Sequence, residues 1–90
     1  MLYMVIERFK NREAVPIYRR FREKGRMTPQ GLNYVESWVA TNFDRCFQLM
    51  ECDDARLLEE WAANWRDLVE FEFVPVRTSK EALELIAPKL

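Results

Sequence analysis

Six side chains in one short stretch have the types from which a pocket is made: Tyr34, Glu36 and Trp38, then Cys46, Gln48 and Met50. Tyrosine and tryptophan give flat walls with polar tips. Gln48 demands hydrogen-bond partners once buried. Glu36, like Glu70 and Glu72, becomes a base only if buried; on alternating strand positions such carboxylates are normally solvated. Cys46 reads as a small apolar residue, because no base is evident near it. The chain has no histidine. That removes Ser-His-Asp and Cys-His catalysis, histidine-bound haem and most zinc sites. Only two glycines are present, Gly25 and Gly31, so no glycine-rich loop exists to hold phosphate. No catalytic residue is assigned, and no metal or cofactor is expected.

The six residues need a scaffold, and the pattern around them supplies one. Asn33 to Cys52, NYVESWVATNFDRCFQLMEC, reads as two strands about a turn at Asn42-Phe43-Asp44. Strand one is Leu2 to Phe9, an apolar run without clean alternation, as in a central strand. Asn11 to Lys24 turns helical: Ala14, Ile17, Tyr18 and Phe21 form one apolar stripe. Pro16 belongs in its first turn and Gly25 just past its end. Strands two and three span Leu32 to Thr41 and Arg45 to Cys52. Asp53 is the expected N-cap of a second helix, Asp54 to Asp67. Its stripe of Leu57, Leu58, Trp61, Ala62, Trp65 and Leu68 marks core. Strand four is Val69 to Arg77, with Pro75 suited to an edge. Thr78 and Glu81 match a capping box for a last helix, Ser79 to Ala87. The order is an α+β, ferredoxin-like β-α-β-β-α-β sandwich with an extra C-terminal helix.

Pairing Thr41 with Arg45 puts Trp38 opposite Gln48 and Glu36 opposite Met50. One face of the hairpin then carries Tyr34, Glu36, Trp38, Cys46, Gln48, Met50 and Cys52. The reverse carries Val35, Ser37, Val39, Phe47, Leu49 and Glu51. The second set suits the helices; the first is mixed and suits an interface or pocket. A bare sheet face with exposed aromatics calls for a cover, and a second copy packed face to face supplies it. The expectation is a homodimer closing an α/β barrel around a central cavity.

Size and charge narrow the rest. Ninety residues make one domain. The net charge is −1, so no overall field favours nucleic acid or an anionic membrane. Charge is segregated: residues 1–26 hold eight Lys/Arg against three Asp/Glu, and residues 44–72 hold nine Asp/Glu against three Arg. Opposite charge draws such segments together. No apolar run approaches a membrane span and no leader opens the chain, so a cytoplasmic protein is expected. Cys46 and Cys52, on one strand at about 3.3 Å per residue, lie too far apart for a disulfide. Strand three lacks the basic-aromatic signature of RNA-recognition sheets, so nucleic acid is not an expected partner.

The stretches GLNYVESWV, DRCFQLMEC and LLEEWAANWRDLVEFEFVPV resemble a family of short bacterial proteins grouped as a domain of unknown function. The pattern is Gly31, Tyr34, Ser37-Trp38, Cys46-Phe47-Gln48-Leu49-Met50 and Trp61. The likeness covers most of the chain and implies membership of the dimeric α/β-barrel superfamily, which includes cofactor-independent monooxygenases and chlorite dismutases. It implies a fold and dimerisation but carries no activity with it. Two functions stay open. One is a structural, interaction or small-ligand-binding module taking an apolar or aromatic ligand. The other is a cofactor-independent, monooxygenase-like enzyme acting on a small aromatic or polyketide-like substrate.

Overall fold

A computed structural model describes residues 1–90. Four strands, β1 (Leu2–Phe9), β2 (Asn33–Val39), β3 (Arg45–Glu51) and β4 (Val69–Val76), form one sheet in the order β2-β3-β1-β4. Every neighbouring pair is antiparallel. With α1 (Val15–Lys24) and α2 (Arg56–Ala62) as crossovers and α3 (Ser79–Ile86) at the end, this is an α+β arrangement compatible with the ferredoxin-like fold.

The strands form where alternation is cleanest. Along β1, Val5 and Phe9 are buried and pair with Phe73 and Val69 of β4. The covered face of the sheet packs Val5, Phe9, Met50 and Val69 against Ile17 of α1 and against Leu58, Trp61 and Trp65. Each of these large side chains removes apolar surface from water, worth roughly 1.5–3 kcal/mol when complete. The opposite face has no helix over it.

The helices are shorter than the apolar stripes predict. Lys10–Arg12 is a separate 3₁₀ turn with Asn11 at φ 57°, and α1 begins only at Val15, with Pro16 in its first turn. Gly25, at φ 70°, ends it and returns its N–H to the Phe21 carbonyl. Asp53 does not cap α2. Asp54 does that work: its side chain accepts from the Arg56 N–H at 3.0 Å. After Ala62 the chain tightens, Trp65 N–H bonding to the Ala62 carbonyl and Leu68 N–H to that of Trp65, each at 2.9 Å. That tighter winding replaces the expected last turns of α2. At α3 the Thr78 hydroxyl accepts from the Glu81 N–H at 3.1 Å, as its capping sequence predicts.

Two long-range contacts tie the basic start to the acidic middle. Arg20 grips both carboxylate oxygens of Asp67, at 2.8 and 2.7 Å. Arg8 reaches Glu72 at 3.0 Å. Cys46 and Cys52 are free thiols. No helix is long and apolar enough to cross a membrane.

Candidate ligand-binding site

The hairpin register decides which side chains share a face, and it differs from the expected one. Ala40, not Thr41, closes the turn against Arg45, its N–H reaching the Arg45 carbonyl at 2.9 Å. Phe43 in the left-handed region, at φ 60°, and the Asn42 carboxamide on the Asp44 N–H absorb the extra residue. Ser37 therefore lies opposite Gln48, Trp38 opposite Phe47 and Glu36 opposite Leu49. A bulge between Tyr34 and Glu36 then shifts the pairing once more, so that Tyr34 lies opposite Met50.

The six expected site residues are split by this register. Tyr34, Cys46, Gln48 and Met50 belong to the helix-covered face. Glu36 and Trp38 belong to the open one, and Trp38 is 52% exposed. Phe47 and Leu49, expected under the helices, lie on the open face, and Cys46, Gln48 and Met50 take their place inside; Ser37 and Val39 lie on the helix side as expected. No single cavity holds Tyr34, Trp38 and Gln48 together.

A cavity of about 130 Å³ lies between the covered face and the helices. Glu7, Arg26, Ser37, Cys46 and Gln48 supply its polar lining. Tyr18, Phe21, Trp61 and Trp65 supply its aromatic walls. Met50 is fully buried in the adjoining core. A larger groove of about 790 Å³ runs past Arg12, Arg19 and Arg22, but those side chains are exposed. Water competes there with any ligand charge. In the smaller cavity two of the polar groups, Glu7 and Gln48, are buried.

Glu7 and Gln48 are the only polar or charged residues buried outright. The Gln48 amide nitrogen donates to a Glu7 carboxylate oxygen. Its own oxygen accepts from Arg26 Nε at 2.9 Å. One carboxamide thus links a buried carboxyl to a guanidinium. Burial pushes the Glu7 carboxyl above its ordinary value, against hydrogen bonds from Gln48 and Cys46 and the charge of Arg26. The Cys46 thiol is pushed up to about 12 by burial and by Glu7. Burial, with Cys46 and Glu7, also raises the Tyr18 phenol. Glu7 therefore holds a proton more readily than an exposed carboxyl, and Cys46 stays a thiol.

Arg26 is held from three sides. Its guanidinium lies 3.8 Å from the Tyr34 ring centroid and 5.1 Å from that of Phe21, at cation–π distance. Its carbonyl accepts two indole N–H groups, from Trp61 at 2.9 Å and Trp65 at 3.1 Å. The residues on either side, Gly25 at φ 70° and Met27 at φ 60°, are both left-handed. For methionine that conformation is strained. Strain maintained by surrounding contacts is typical of functional sites.

Glu7, Arg26, Trp61 and Trp65 were not legible as site residues in the sequence. Glu7 left one signal: of Tyr3, Val5, Glu7 and Phe9, the alternate positions of β1, it alone is charged. No group of three His, Cys, Asp or Glu side chains gathers anywhere to hold a metal ion.

No curated protein and no solved structure matches the chain. The profile of a domain of unknown function, DUF3303, matches residues 1–90 from end to end, and the chain belongs to that family.

Proposed function

We propose that the protein is a cytoplasmic, homodimeric small-ligand-binding module whose ligand occupies the cavity at Glu7. The observation that carries this reading is a carboxyl only 5% exposed lining an aromatic cavity of about 130 Å³. A buried carboxyl is costly, and a fold that needed only a core places an apolar side chain there. An engineered apolar cavity of about 150 Å³ takes up benzene, so this space suits a ligand of one six-membered ring. Thermal-shift and tryptophan-fluorescence titrations with phenols, quinones and single-ring acids test it. Trp61 and Trp65 line the cavity and report directly. Absence of binding across the panel at millimolar concentration overturns the reading.

The dimer rests on the open face of the sheet. Leu2, Met4 and Ile6 of β1, Phe47 and Leu49 of β3 and Trp38 of β2 lie together there. Such a contiguous patch is characteristic of an interface, and a second copy related by two-fold symmetry covers both patches at once. The dimer forms a barrel of the α/β type, with each ligand cavity on the helix side of its own sheet. Light scattering at micromolar concentration tests it.

A second reading is favoured by the same carboxyl. A buried carboxylate base takes the proton of a ring hydroxyl and leaves an electron-rich anion. Such an anion is the substrate form for cofactor-independent oxygenation, with dioxygen as oxidant. Oxygen uptake with the phenol panel separates this enzyme from a simple binder.

A further inference from the structure

The Glu7–Gln48–Arg26 chain goes beyond ring-sized binding to the chemical class of the ligand, and this step rests on the reading of the cavity as a ligand site. Arg26 donates Nε to Gln48, but neither of its terminal nitrogens meets a protein acceptor. Elsewhere five arginines, at 8, 20, 45, 56 and 66, each pair with a carboxylate. Of the arginines without such a partner, Arg26 alone is half-buried, lining the cavity, fixed by two indoles on its own carbonyl, and left with a free fork of donors. A guanidinium fork fits a carboxylate. Its terminal nitrogens are not sealed from solvent, since no buried polar atom lacks a partner.

The second half of the chain is Glu7. Glu7 is buried, and a second carboxylate brought near it raises its hold on a proton further. An acid binding as its anion therefore makes Glu7 take up a proton, and the protonated carboxyl becomes a hydrogen-bond donor. The groups facing Glu7 permit this. Tyr18 comes from α1, Cys46 and Gln48 from β3 and Arg26 from the loop after α1. The β4 side presents only Phe71 and Phe73, packed against the core, and the α2 side only indoles. Arg26 is the sole permanent charge among them. It serves the ligand anion, while Glu7 changes its protonation to match.

We propose that the cavity binds a single-ring carboxylic acid as its anion, the carboxylate on the free fork of Arg26, with one proton taken from solvent by Glu7. No bond of the ligand is made or broken. The proton comes from water or buffer and returns on release.

Benzoate is the probe, with phenol as the ring-matched control. Calorimetric titration of the whole protein in two buffers of different ionisation enthalpy measures proton uptake directly. About one proton is expected per benzoate bound at a pH above the Glu7 value. The benzoate Kd is expected to weaken about tenfold per pH unit there. Glu7→Gln removes both the uptake and the slope. Arg26→Met removes the preference for benzoate over phenol, and Arg26→Lys restores part of it. If either arginine variant fails to fold, the wild-type proton count still decides. Benzoate binding with no proton uptake overturns the proposal, as does phenol binding with no benzoate binding; either leaves the ring-sized ligand site standing. Binding of neither probe overturns the cavity reading itself.

Discussion

The shared acceptor at Arg26 gives a sharp test of how the loop is held. Trp61 and Trp65 are 1% and 4% exposed, and both donate to one carbonyl oxygen. Trp61→Phe removes one hydrogen bond, worth about 1 kcal/mol, and trims the buried ring, worth about 1 kcal/mol more. The carbonyl keeps its other indole, so the single variant costs about 2 kcal/mol. Trp65→Phe costs about the same for the same reasons. The double variant is different in kind, because the carbonyl then has no indole at all. An unpaired, largely desolvated carbonyl costs an additional 1–3 kcal/mol or so. The total becomes about 5–7 kcal/mol, a large share of the roughly 5–15 kcal/mol that holds a domain folded. Urea denaturation followed by circular dichroism, at one fixed protein concentration, measures all four corners of the cycle. The expected coupling is at least about 1 kcal/mol. Additivity within about 0.5 kcal/mol refutes the view that the two indoles converge on one acceptor.

Other outcomes follow from the same geometry. Glu7 has its carboxyl raised by burial, so the folded state holds its proton more tightly than the unfolded one. The contribution of Glu7 to stability is then fully present below the ordinary carboxylate value of 4.5 and is lost as pH rises through the elevated one. Glu7→Gln flattens that decline, read from urea midpoints across the acid-to-neutral range. Cys46, with its thiol pushed up to about 12, stays unalkylated by iodoacetamide at pH 8 in the folded protein and reacts on unfolding. Trp38→Glu places a charge on the open sheet face at the outer strand β2 and is expected to turn the proposed dimer into a monomer in light scattering, with the circular dichroism spectrum unchanged.

β1 was legible as a short apolar run, β4 by its alternating side chains, and the helices because their stripes recur. Register was not, and the hairpin shows why. Two irregularities each displace the pairing by one residue: the turn at Phe43 and the bulge at Val35. The first turns Trp38 and Glu36 away from Gln48. The second returns Tyr34 to the face it would have held without either. Neither leaves a glycine to mark it, since the turn uses phenylalanine in a left-handed conformation. The site was legible only where it coincides with the hairpin, at Cys46 and Gln48. Glu7 was masked because β1 was expected to be covered on both faces. Arg26 was masked because its role depends on a loop whose course is set by contacts with Trp61 and Trp65, 35 and 39 residues away.

The two outer strands of the sheet are each spoiled as templates. β2 carries the bulge and β4 carries Pro75, which has no N–H to offer. An incoming strand therefore meets a broken ladder on either side. Sideways growth of the sheet into ribbons or fibrils is disfavoured at both edges. In the proposed two-fold dimer the open face is covered by one partner and then exhausted, so that such an assembly would be finite however concentrated the protein becomes.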